Sequence, residues 1–167
     1  MAALYDNILR RRAIISRQAL LATIERICGD VAEGGEPPRA PVLAAFKDAL
    51  AAGRGEIRRR FEGEAEKDAH LVNDGPAVLA ATSYLMDQLI RGLFDFVVER
   101  VYPAANPSMA EQIALVATGG YGRGQLAPQS DIDLLFLLPY KQTPRGEQIV
   151  EYMLYFLWDL GLKVGHA

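Results

Sequence analysis

Cysteine is nearly missing from these 167 residues, and the one copy, Cys28, excludes an internal disulfide framework and any zinc site built from cysteines. It reads as a small buried thiol on a helix, in a reducing compartment. Histidine is almost as scarce, with only His70 and His166. His166 reads as a neutral structural residue, because no second ligand histidine stands near it. An excess of basic charge is lacking too. Lysine and arginine number 18 against 21 acidic residues, a formal charge of −3, so no global positive field holds a nucleic acid by its phosphates. The strongest apolar run, Leu134 to Leu138, is too short to cross a bilayer, and Met1 to Arg12 lacks the apolar core of a secretion signal. Internal repeats and low-complexity tracts are absent. What is present is a chain half apolar and 23% charged. That composition fits a globular cytoplasmic protein without nucleic-acid or membrane partners, long enough for one large domain or two small ones.

Helical spacing dominates the first hundred residues. Ile8, Ile15, Leu20, Leu21, Ile24 and Ile27 predict one long amphipathic helix from Leu4 to Cys28, ended by Gly29. Glu33-Gly-Gly-Glu-Pro-Pro38 is a turn or linker, and a second helix runs from about Pro41 to His70. Its polar half, Arg58 to Asp68, mixes both signs and reads as a solvated face with local ion pairs. Asp74-Gly-Pro76 starts a third helix that reaches about Val101. Asp87, Arg91, Asp95 and Glu99 fall on its polar side, and Leu85, Leu89, Leu93, Phe96 and Val97 on its core side. The period then changes. Ile113 to Ala117 reads as a short buried strand, Asp131 to Leu138 as a second strand, and Thr143-Pro144 opens a final helix closed by Gly161. Leu162 to Ala167 looks like the start of a further strand.

One segment carries chemistry. Asp131 and Asp133 stand two apart on a strand, so both carboxylates point to one face and are placed to share divalent ions. Two turn aspartates that merely begin a strand are the plain alternative. Gly119, Gly120, Gly122 and Gly124 follow directly on the preceding strand and let backbone amides approach a ligand closely. Arg123 is suited either to a phosphate or to an acid nearby. The glycine spacing is not that of a dinucleotide-binding turn, and no Gly-Lys-Ser/Thr of a phosphate-binding P-loop occurs.

Gly119-Gly-Tyr-Gly-Arg-Gly124, Ser130-Asp-Ile-Asp-Leu-Leu135 and Phe156-Leu-Trp-Asp-Leu-Gly-Leu-Lys-Val-Gly-His166 together resemble the nucleotidyltransferase domain of the bacterial PII uridylyltransferase/uridylyl-removing family. That family lies within the wider group related to DNA polymerase β. The likeness covers residues 76–167, while the first seventy residues resemble only the family's variable helical lead-in. It implies an α+β fold in which a helical segment, residues 1–75, packs on part of a polymerase-β-like nucleotidyltransferase domain, residues 76–167, with a small mixed sheet. It also implies that Asp131 and Asp133 are catalytic and hold Mg²⁺ or Mn²⁺. Gly119 and Gly120 would cradle the triphosphate of UTP, with Ser130 or Arg123 assisting, and UMP would pass to a tyrosine of the PII signalling protein. Gly120 stands where serine is frequent in the wider group, so contact there comes from backbone. The expected third carboxylate has no good candidate among Glu147, Glu151 and Asp159, which leads to the expectation of an N-terminal fragment, inactive alone. Without a His-Asp pair the chain has no means of removing UMP, and glutamine sensing would reside in domains outside it. Another acceptor or nucleotide, as in adenylylation, and a non-catalytic helical interaction module remain the alternatives.

Overall fold

The computed structural model describes residues 5, 8–29, 35–63, 74–104, 112–138 and 143–167. His70, Glu33 and the acidic stretch after Gly63 lie outside the described residues. Within them the architecture is α+β. Helices α1 (Arg11–Ile14), α2 (Arg17–Cys28), α3 (Arg39–Glu62) and α4 (Gly75–Phe96) precede strand β1 (Ala114–Ala117). The short turn α5 (Gly119–Gly122), strand β2 (Ile132–Leu137), helix α6 (Pro144–Asp159) and strand β3 (Val164–His166) follow.

The single long helix expected from Leu4 to Cys28 is broken. Ile15 is extended (φ −160°, ψ 141°), and the side chain of Ser16 accepts a hydrogen bond from the Ala19 amide, starting α2 afresh. The apolar residues keep helical phase across the break, since Ile14, Ile15, Leu20 and Ile24 are all buried, which is why periodicity alone misses it. α3 stops at Glu62, where Gly63 takes a left-handed conformation (φ 68°). Beneath it, Arg60 pairs with Glu56 and donates to the carbonyls of Leu9 (2.8 Å) and Arg10 (3.2 Å), so this part of the supposedly solvated face fastens the N-terminal segment. α4 begins as expected, with Asp74 capping the Ala77 amide (2.8 Å) and Pro76 in the first turn, and runs into a π-helical turn over Val97–Val101. Arg145 of α6 donates to the carbonyls of Tyr102 (2.9 Å) and Val98 (3.5 Å), satisfying groups that a helix end leaves without partners.

Helices and sheet share one apolar core. Phe46 of α3 meets Phe156 of α6 edge-on (5.2 Å between centroids), and Leu20 of α2 and Phe46 both border Gly92 of α4. Gly53 of α3 faces Leu85 of α4 with no room for a further methyl. Cys28 is buried at the end of α2, and burial pushes its thiol up from the ordinary cysteine range, in keeping with a structural thiol.

The sheet has the order β1-β2-β3, with β2 antiparallel to β1 and parallel to β3. α6 makes the crossover between the parallel pair. Ile113–Ala117, expected as a short buried strand, is only partly covered, and β2 is buried on one face. Ile132, Leu134 and Phe136 point into the core, while Asp133, Leu135 and Leu137 take the other face, where Leu137 is 49% and Val116 36% exposed. A sheet covered by helices on one side leaves an open side on which polar groups stay hydrated.

Candidate active site

The site is assembled where β1 runs out and β2 begins. Ala117 pairs with Leu134, and the next residue, Thr118, donates its amide to the carbonyl of Asp133 (3.0 Å) with its hydroxyl at 3.4 Å from the same oxygen. The chain then turns sharply. Gly119 is left-handed (φ 58°), which a residue with a side chain adopts at a cost, and the Gly122 amide closes the turn on the Thr118 carbonyl (2.7 Å). The loop folds back through Gly124 to Tyr121 (2.9 Å) and Gln125 to Gly120 (2.9 Å). As first-turn amides, those of Gly119, Gly120 and Tyr121 have no acceptor within α5.

Two glycines flank the Asp133 carboxylate. A Cβ at Gly119 would collide with its Oδ2, and a Cβ at Gly165, the partner of Asp133 in the parallel ladder, would sit 2.9 Å from its Oδ1. Both oxygens are thus approached by bare backbone. Gly122 is forced for another reason, because a Cβ there would run into the carbonyl of Ala117. Asp131 lies just before β2 and is exposed. Arg123 is exposed beside the loop and forms no ion pair with an acid among the described residues.

The structure brings Gly119, Gly120 and Asp133 together, with Asp131 exposed one residue before β2 and Arg123 at the end of the turn. Ser130 is placed differently. With Ile132 it lines a cleft of about 710 Å³ between the loop and helices α3 and α4, walled by Arg54, Phe61, Leu79 and Met86, which neither Asp131 nor Asp133 lines. No group of three or more His, Cys, Asp and Glu side chains suited to a metal occurs among the described residues. Asp159 is engaged by Arg39 (2.5 Å), Glu147 and Glu151 are exposed on α6, and His166 lies against Trp158, 6.1 Å between ring centroids. The two aspartates are hard oxygen donors two residues apart at the start of β2, and the flanking glycines keep Asp133 accessible, so the residues present fit part of a Mg²⁺ or Mn²⁺ site.

Gly165 and the hydrogen bonds of Tyr5 and Tyr121 to Asp87 escaped sequence reasoning. Gly165 matters only through the parallel pairing, which no local pattern reveals. Tyr121 is buried and donates to Asp87 Oδ1 (2.7 Å), while Tyr5 donates to Asp87 Oδ2 (2.8 Å). Asp87 therefore leaves the polar stripe to which helical periodicity assigns it. Burial, reinforced by the Asp87 charge, pushes both phenols well above the ordinary tyrosine range, so both remain donors at any working pH.

Residues 104–164, which hold the glycine turn after β1 and the two aspartates at the start of β2, match the family model described as "Nucleotidyltransferase domain". The chain carries that domain, and its relatives are enzymes named for uridylyl transfer. It is 55% identical over 156 residues, 93% of its length, to the "Bifunctional uridylyltransferase/uridylyl-removing enzyme" of Rhodospirillum rubrum. It is 49% identical over 161 residues, 96% of its length, to the protein of the same name from Azospirillum brasilense. It spans 16% of the length of each of these relatives. No solved structure matches it significantly.

Proposed function

We propose that the polypeptide transfers UMP from UTP to a tyrosine hydroxyl of the PII nitrogen-signalling protein in the cytoplasm. The hydroxyl oxygen forms a bond to the α-phosphorus, the bond from that phosphorus to the bridging oxygen breaks, pyrophosphate leaves and the hydroxyl proton passes to solvent. The observation that carries this reading is the Asp133 carboxylate, held between Gly119 and Gly165 at the foot of the glycine turn. Asp131 and Asp133 would hold the divalent ions, which supply charge neutralisation on the triphosphate and activation of the attacking hydroxyl. The amides of Gly119 and Gly120 bind phosphate oxygens, and Arg123 adds positive charge at the same turn. The protein contributes orientation and fixed dipoles, since phosphoryl-type transfer asks for little covalent participation. Ser130 assists from the cleft side of the strand, where it borders the nucleotide without sharing the carboxylates' face. Glutamine acts only through domains outside this chain.

The test is direct. Asp131→Asn with Asp133→Asn in the intact enzyme is expected to abolish Mn²⁺-dependent binding of UTP and UMP transfer to PII. Unchanged transfer by the double variant would refute the site. Labelled UTP and ATP offered separately with a PII protein decide the nucleotide, and labelling from ATP alone would replace uridylyl by adenylyl transfer.

A further inference from the structure

Helix α4 supports the glycine turn from beneath at two points one helical turn apart. Ser83 is fully buried; its hydroxyl donates to the Leu79 carbonyl (2.9 Å) and accepts the Leu126 amide (2.9 Å). Asp87, the next residue on that face, accepts from the phenol of Tyr121, the residue between Gly120 and Gly122. Its other oxygen accepts from Tyr5, and Arg91 lies 4.0 Å from it. The two anchors bracket residues 122–125, which include two of the loop's glycines.

A segment this rich in glycine loses much conformational freedom when it is ordered, so an amide array within it binds phosphate well only if something else holds it in place. Apolar packing would serve stability as well as a half-buried carboxylate does, because removing a charge from water is costly. A hydrogen-bonded pair adds direction: Tyr121 fixes the chain directly after the Gly119 and Gly120 amides, and Leu126 fixes the returning end of the loop, where the Gln125 amide holds the Gly120 carbonyl.

We infer that Ser83 and Asp87 are positioning residues for the triphosphate loop, acting through Leu126 and Tyr121 and never touching the nucleotide. The inference rests on the nucleotide-binding reading given above. Tyr5 supplies the internal comparison, since it makes the same kind of bond to the same carboxylate but holds the N-terminal segment instead of the loop.

The experiment measures UTP affinity by calorimetry in the presence of Mn²⁺, together with amide hydrogen exchange at residues 122–126 without nucleotide. Tyr121→Phe and Asp87→Leu are expected to weaken UTP binding roughly tenfold, and Tyr5→Phe to leave it within about threefold. Asp87→Asn, whose amide oxygen still accepts from Tyr121 and whose amino group reaches the Tyr5 oxygen, restores affinity to within about threefold of the parent. Asp87→Leu and Ser83→Ala also speed exchange at Gln125 and Leu126. Parental UTP affinity in Tyr121→Phe, or an equal loss in Tyr5→Phe, overturns the inference. If the parent protein binds neither UTP nor ATP, the nucleotide reading fails instead, and the exchange rates alone decide whether α4 orders the loop: rates unchanged in both variants overturn it, accelerated rates uphold it.

Discussion

Replacing Gly165 by alanine separates the carboxylate's position from the stability of the fold. Gly165 lies in β3, its φ is not left-handed, and a methyl group there imposes no backbone strain. The new Cβ would stand 2.9 Å from Asp133 Oδ1, and ordinary contact begins near 3.4 Å, so the carboxylate must retreat by about 0.5 Å. Rotating a side chain off its preferred well costs about 0.5–1.5 kcal/mol. Exchanging glycine for alanine within a strand returns about 0.5–1 kcal/mol. The two nearly cancel, and thermal stability should change by less than about 1 kcal/mol. Metal binding has no such offset, because ligand distances are held to about 0.2 Å and Mg²⁺ insists on near-octahedral geometry. Loss of a ligand's support weakens metal sites on the order of 10–100-fold. Mn²⁺ titration with UTP present, followed by electron paramagnetic resonance, should show a weakening of that size with an unaltered melting curve. Parental Mn²⁺ affinity in a folded Gly165→Ala protein would refute the claim that Asp133 is held for a metal.

Other expectations follow from the helices. Hydrogen bonding from Arg59, joined by Arg60 and opposed by partial burial, holds the Glu56 carboxyl down at about 2. Its folded-state value lies below its unfolded one, so its contribution is complete above about pH 4.5 and lost as pH falls toward 2. Glu56→Gln should therefore cost on the order of 2 kcal/mol at pH 7, after discounting for the exposure of Arg59, and the difference from the parent should shrink below about pH 4.5 in denaturant titrations. Gly53→Ala gains about 1 kcal/mol of helix propensity, yet its methyl would meet Leu85 Cδ1 at 2.5 Å and the Ile14 carbonyl at 3.0 Å. Leu85 is fully buried and has nowhere to go, so a net loss of about 1–2 kcal/mol is expected, seen as a melting point lower by a few degrees; a rise would show that α3 and α4 can part. Ser16→Ala removes the cap of α2 and should cost about 1 kcal/mol in the same assay.

Local chemistry made much of this fold legible. Asp74-Gly-Pro76 and Thr143-Pro144 open helices where their capping groups demand, and Thr143 does accept the Gly146 amide (3.2 Å). The glycine turn and paired aspartates were legible because backbone freedom and carboxylate spacing are written in consecutive residues. The break at Ile15 carried a sequence signal, Ser16 ahead of Arg17, but unbroken apolar phase masked it. Asp87 was illegible for a deeper reason: its partners are 82 and 34 residues away, and nothing local marks an aspartate on a polar stripe as the meeting point of two tyrosines. Gly165 was hidden likewise, since its role depends on which residue the parallel register sets beside it. The open face of the sheet was missed because an apolar run such as Leu134 to Leu138 reads the same whether one side or both are covered.

The short ladder between β2 and β3 gives the site a dynamic side. Ile132 pairs with Val164, Asp133 with Gly165 and Leu134 with His166, and flanking bonds run from Ile132 to the Lys163 carbonyl (2.8 Å), from Phe136 to that of Ala167 (3.1 Å) and from Ala167 to that of Leu134 (3.2 Å). Pairs of strands open by local unfolding at a cost that need not reach the free energy of global denaturation. Each opening lifts Gly165 from beside Asp133 and dissolves one wall of the site without melting the helices. Anything that binds the closed form must, by mass action, hold β3 down. The occupancy of the carboxylates and the docking of β3 are then one equilibrium, and the slowing of exchange at the Phe136 and Ala167 amides becomes a measure of how full the site is.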